Sequence, residues 1–169
     1  MNKDKLLVIG LGNLLMGDDG AGIHIVHELQ RRRLPDHVDL IDGGTAGVGL
    51  VDILSSYRRV IVIDAIADNG GDPSGIRLFS PDDLILREGE GDYSIHDVEL
   101  TSILSLMKSL DMEIPDITIM GIPAVTFTPG IGLSEGCRRF IPEGIDLIMK
   151  MRQGDTKNLK DGGNSHDCL

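Results

Sequence analysis

The side chains here with chemistry to offer are mostly acids at the ends of apolar runs. Asp18 and Asp19 stand together in Gly10-Leu11-Gly12-Asn13-Leu14-Leu15-Met16-Gly17-Asp18-Asp19-Gly20-Ala21-Gly22, Asp42 opens Asp42-Gly43-Gly44-Thr45, and Asp64 follows Val60-Ile61-Val62-Ile63. Carboxylates at such places serve as general bases or as ligands for divalent cations. His96, in Ser94-Ile95-His96-Asp97, adds an imidazole. Oxygen and imidazole donors together suit Zn, Ni and related ions, and a set of Asp19, Asp64 and His96 would leave coordination positions open for water or substrate. The competing readings are structural: Asp64 hydrogen-bonded to neighbouring backbone amides, and His96 as a polar residue at a helix start.

Other chemistries find less support. There is no Gly-x-Ser-x-Gly elbow, and Cys137 lies at a helix start that suits packing as readily as nucleophilic attack. Gly10-Leu11-Gly12 begins like a dinucleotide fingerprint, and Asp42 imitates the ribose-binding acid. The third glycine is displaced, however, and two carboxylates would face the pyrophosphate. That reading stays open as an alternative. His24 and His27 share one helix face without a further ligand and read as surface or partly packed, as His37 reads as a loop residue. His166 and Cys168 lie in a polar tail that reads as solvated linker.

The elements that must position these groups alternate between strand and helix patterns. Lys5 to Ile9, Val38 to Ile41, Arg59 to Ile66 and Asp116 to Ile122 read as strands, with a shorter arm at Gly75 to Phe79. Helices are expected from Ile23 to the Arg31-Arg32-Arg33 run closed by Pro35, over Val48 to Leu54, from Ser94 to Leu110, and over Ser134 to Met151 with a kink or break at Pro142. Asp68 to Asp72, Ser80 to Tyr93 and Pro123 to Pro129 read as loops or exposed connections. This order argues an α/β sheet with helices on both faces, one domain over residues 1–152 and a disordered tail over 153–169. In such sheets function gathers at the carboxyl ends of the strands, which selects Asp18-Asp19, Asp42 and Thr45, Asp64 and the Pro123 loop.

Composition narrows the partners. With 16 basic and 27 acidic residues the net charge is −11, which disfavours nucleic acid and favours a basic peptide or protein surface. The 2 cysteines make no disulfide framework, so a reducing cytoplasm is expected. No apolar run reaches the length of a membrane span. No long apolar surface stripe is left over, so a monomer is expected.

The Gly10 to Gly22 block, Asp42-Gly43-Gly44-Thr45-Ala46-Gly47, Ile63-Asp64-Ala65 and Ser94-Ile95-His96 with the following helix resemble, in order over roughly residues 5–150, the maturation endopeptidases of nickel-iron hydrogenases. The resemblance implies a three-layer α/β/α sandwich with a mostly parallel twisted sheet, phosphorylase/hydrolase-like. It implies a cytoplasmic protease that removes a carboxyl-terminal extension from the nickel-loaded precursor of the hydrogenase large subunit. In the family the cut follows a His or Arg near the last metal-binding cysteine motif. Asp19, Asp64 and His96 would recognise nickel supplied by the substrate, or another divalent metal ion, and would help activate water. Asp18 would be a helper acid, or a cap for the helix that follows. Some members carry Glu at the first position, so Asp19 shortens that ligand by one methylene. A nickel-sensing chaperone that holds the precursor without cutting it is the alternative from another functional class. The glycines are expected to leave room for an incoming peptide.

Overall fold

The structure, a computed structural model, describes residues 2–67, 75–85 and 95–152, without the side chains of 84, 85 and 95–99. The expected loop at 68–72, most of the 80–93 connection, and the tail with His166 and Cys168 lie wholly or largely outside the described residues.

The Leu6–Leu11 run forms β1 and is buried along its whole length, as an interior strand of a sheet covered on both faces must be. Around it the sheet adds β2 (Val38–Gly44), β3 (Arg59–Ala67), β4 (Arg77–Phe79) and β5 (Asp116–Ala124), in the spatial order β2-β1-β3-β5-β4. All pairs are parallel except β4 on β5. The helices are α1 (Ala21–Gln30), α2 (Leu50–Ser55), α3 (Pro81–Ile85), α4 (Ile95–Ser109), α5 (Glu135–Arg138) and α6 (Ile141–Met151).

Strand pleating divides the apolar residues into two cores. Leu6, Val8, Ile61, Ile63 and Ala65 pack with α1, α5 and α6. Leu7, Ile9, Val60, Val62 and Ile66 pack with α2 and α4. The three-layer α/β/α sandwich with a mostly parallel sheet is therefore the observed fold, and strand order reverses between β1 and β3, as in doubly wound sheets.

Several boundaries differ from the sequence reading, each for a local reason. Val48 sits in a single 3-10 turn before α2 and is 72% exposed, leaving Leu50 as the residue that enters the core. Leu110 lies past the end of α4, exposed. Ser80 to Ile85, expected to be open connection, instead starts α3 through a capping box. The Ser80 amide donates to the Asp83 carboxylate at 2.7 Å, and the Asp83 amide reaches back to Ser80 Oγ at 3.4 Å. Pro123 belongs to β5, opposite Ile66, rather than to the loop. Pairing with β4 stops at Gly121, so among the described residues Pro123 has no strand partner on that side, where a residue without an amide hydrogen is tolerated. Pro142 does divide the last helix, standing in the first turn of α6.

The glycines after β1 serve internal packing. A Cβ on Gly22 would lie 2.3 Å from the Ile63 carbonyl oxygen and 2.7 Å from that of Leu11, and one on Gly10 would lie 2.3 Å from the Gly22 oxygen. The start of α1 is thus seated directly on β1 and β3. Because the obstructing atoms are backbone, a methyl group there cannot be absorbed by a rotamer change. Gly22→Ala is expected to destabilise the fold by about 3 kcal/mol, read as a lower urea midpoint with little change in slope.

Candidate active site at the carboxyl edge of the sheet

Past β1 the chain must turn back on itself to begin α1. Gly12 makes that return possible: its φ is +127°, and a Cβ there would lie 1.8 Å from the Asp19 carbonyl oxygen. Asn13 shapes the excursion between them, its Oδ1 accepting from the Leu15 amide at 2.9 Å. A 3-10 turn, Gly17–Gly20, then carries both acids into α1.

Asp18 is fully buried, and its carboxylate accepts four hydrogen bonds. Oδ2 receives the amides of Val125 at 2.8 Å and Thr126 at 3.1 Å and the hydroxyl of Ser134 at 2.7 Å; Oδ1 receives the Ser134 amide at 2.6 Å. Ser134 in turn caps α5, its Oγ accepting from the Cys137 amide at 3.1 Å. Backbone bonds run alongside, from Asp18 to Thr126 and from Gly17 to Gly130 at 3.0 Å, and from Gly130 to Leu15 at 2.9 Å. Asp18 therefore does not cap α1; it ties the loop after β1 to the loop after β5.

Asp19 is 8% exposed, in a turn packed against β3. Asp64 is 2% exposed, with its Oδ1 accepting from the Ala65 amide at 2.8 Å, so the backbone hydrogen bond anticipated for it exists. The turn that carries Asp19 lies near the strand that carries Asp64, since Gly22, three residues beyond Asp19, abuts the carbonyl of Ile63. Asp64 shares its pleat parity with Val62 and Ile66, on the face that α4 covers. His96 lies in the first turn of α4, and its side chain is outside the described residues. Among the described residues no three His, Cys, Asp or Glu side chains group to hold a metal ion on their own.

The remaining polar candidates have other partners. Asp42 pairs through Oδ2 with His27 Nε2 at 2.8 Å and accepts the Gly44 amide at 3.1 Å. His27 thus closes α1 onto β2, a pairing its position on the helix did not reveal. Thr45 is exposed just beyond β2. With the space at Gly10 and Gly12 occupied by the carbonyls of Gly22 and Asp19, neither a pyrophosphate nor a peptide can approach there, and the dinucleotide reading falls. The Cys137 thiol is buried, and burial, followed by the nearby charge of Asp18, pushes its pKa up to about 12. A nucleophilic role would require the thiolate, which is not populated near neutrality. Around the Asp18 clasp, Leu15, Val125 and Ile131 project apolar side chains into solvent, with Ile131 91% exposed.

The doubly wound order β2-β1-β3-β5-β4, with buried acids toward the carboxyl edge near the point where strand order reverses, defines an α/β protein of the class that places its ligands at that edge. The hydrogenase maturation protease family model matches residues 23–151. The hydrogenase 2 maturation protease of Escherichia coli is 29% identical over 146 residues, covering 86% of this chain and 88% of that protein. Among solved structures, the E. coli hydrogenase maturating endopeptidase HybD superposes with a TM-score of 0.77 at 27% identity, over 88% of this chain and 92% of that one. The [NiFe] hydrogenase maturation protease HybD of Thermococcus kodakarensis gives 0.74 at 25% identity, over 88% and 99%. The chain belongs to the hydrogenase maturation protease family. It is an endopeptidase, a hydrolase acting on peptide bonds, of a family that processes hydrogenase large subunits; the reading as a chaperone that does not cut is set aside. Among the described residues no helix is long and apolar enough to cross a membrane.

Two outcomes follow from this geometry. Asp18→Asn turns an amide NH₂ toward donors or leaves them unpaired, and is expected to cost about 3 kcal/mol, measured by chemical denaturation. In a Cys168→Ser background, Cys137 is expected to stay unalkylated by iodoacetamide at pH 8 in the native state and to react once the chain is unfolded in urea.

Proposed function

We propose that this chain removes the carboxyl-terminal extension from the nickel-loaded precursor of a nickel-iron hydrogenase large subunit in the cytoplasm. Asp19, Asp64 and His96 address the nickel that the substrate carries. What supports this reading is that two buried carboxylates, Asp19 in the 3-10 turn packed against β3 and Asp64 on β3, belong to neighbouring segments, with Asp64 on the sheet face that the His96-bearing helix covers.

Two carboxylates and an imidazole make a mixed oxygen–nitrogen donor set that suits a borderline divalent cation and leaves positions for ligands belonging to the substrate. Asp19 has one methylene fewer than a glutamate, so the substrate's ion must come close to the 3-10 turn. The scissile peptide would then lie beside an ion able to polarise its carbonyl or lower the pKa of a water molecule. A protein nucleophile is unnecessary in this scheme, in keeping with the protonated Cys137 thiol. Asp18 acts as a positioning residue, with both carboxylate oxygens engaged by the loop beyond β5. The exposed apolar side chains of Leu15, Val125 and Ile131 beside this edge give a protein substrate a surface on which to seat.

The test is mass spectrometry of precursor prepared with and without nickel, incubated with the wild type and with Asp19→Asn, Asp64→Asn and His96→Ala. The wild type is expected to shorten only the nickel-loaded precursor, and each variant to cut it at least about a hundredfold more slowly. Wild-type rates in all three variants would overturn the assignment.

A further inference from the structure

Beside the loop that Asp18 anchors, a cleft of about 440 Å³ runs between α1 and the α5–α6 pair. His24 lies on one side, and Arg32 continues that side just past the end of α1. Leu133, Ile141 and Ile145 form an apolar wall opposite, and Arg138 stands over them. The Arg138 guanidinium is held in place by donating Nη2–H to the Leu133 carbonyl at 3.2 Å.

The charges in this cleft are unbalanced. Glu28, the acid on its border, is paired with Arg31. Neither Arg32 nor Arg138 has a carboxylate partner among the described residues. Burial, then the neighbouring His27 and Arg138, lowers the His24 pKa, so that its imidazole adds less charge to the cleft. On a chain with a net charge of −11, two guanidinium groups with no carboxylate partner among the described residues, in a cleft with an apolar wall, are complementary to an anionic group on an otherwise apolar peptide.

We propose that this cleft receives the carboxyl-terminal extension of the precursor, with Arg32 and Arg138 binding its terminal carboxylate. This rests on the family activity stated above. An extension that is cut from a carboxyl terminus always ends in a carboxylate, so the anion is part of the substrate class whatever its sequence. The reach is compatible. From Asp19 to Arg32 the chain rises along the helix by about 20 Å, which an extended peptide covers in about six residues. Holding the end of the departing segment would fix the register of the scissile bond at the carboxyl edge, and would let the enzyme distinguish a precursor from an already shortened subunit.

The experiment reads binding directly, so that it stands apart from cleavage. A fluorescein-labelled peptide with the sequence of the extension, from the hydrogenase of the same source, is titrated with the full chain by anisotropy, as the free acid and as its carboxyl-terminal amide. The free acid is expected to bind about tenfold more tightly than the amide. Arg32→Gln and Arg138→Gln are each expected to weaken the free acid about tenfold and the amide hardly at all. Arg138→Lys, with a thermal melt as a folding control, is expected to recover part of that loss. Equal binding of acid and amide, or free-acid binding unchanged in both Gln variants, would overturn the proposal. Cleavage of the whole precursor by the wild type, followed in parallel, reports on the family activity alone.

Discussion

The carboxylate of Asp18 is the interaction on which the functional edge of this protein depends. It is a full negative charge without solvent, tolerable only because three backbone amides and a hydroxyl converge on it. Those donors come from more than a hundred residues away, in the loop after β5 and at the cap of α5. In the sheet, β1 and β5 are not neighbours, because β3 runs between them. The clasp therefore spans the end of β3, the strand that carries Asp64. One buried acid thus sets the distance between the loops after β1 and β5, and its neighbour in sequence, Asp19, is held in the turn packed against β3.

Close backbone packing supplies the second constraint. Gly10, Gly12 and Gly22 have no side chains because carbonyl oxygens occupy the positions their Cβ atoms would take. The first turn of α1 can then descend onto β1 and β3, bringing Asp19 toward the end of β3. In a dinucleotide-binding sheet the same kind of glycine pattern admits a phosphate. Here the chain fills that space itself, and the displaced third glycine together with the acidic pair is the sequence sign of the difference. The charge distribution follows a similar division: an acidic chain, with Arg32 and Arg138 at the cleft between α1 and α6 and no carboxylate on either among the described residues.

Much of the architecture was readable from the sequence because it rests on short-range regularities. The apolar runs of β1, β3 and β5, the helical spacing of Leu100, Ile103, Leu104 and Met107, and the break at Pro142 each declare themselves within a few residues. The errors were also local. The Ser80–Asp83 capping box corresponds to Ser-Pro-Asp-Asp in the sequence, at the start of a stretch whose many charges read as an exposed connection. Val48 matched the helical period, yet the chain enters α2 only after a 3-10 turn that directs it outward. Pro123 looked like a loop residue because a strand edge left open by a short partner cannot be read from the strand itself.

By itself the sequence determined the alternation of strands and helices, the glycine-acid block after the first strand, the position of Asp64 near the end of its strand, and the resemblance that named the family. Each of these is written in residue types and spacings along the chain. Only the tertiary structure decided that Asp18 turns away from the helix it precedes to bind the β5 loop, while Asp19 stays in the turn packed against β3. It also decided that His27 belongs to Asp42, and that the glycines are filled by the protein's own backbone. Those outcomes depend on donors and carbonyls distant in sequence, and a carboxylate's role is set by which groups folding brings within hydrogen-bonding distance of it.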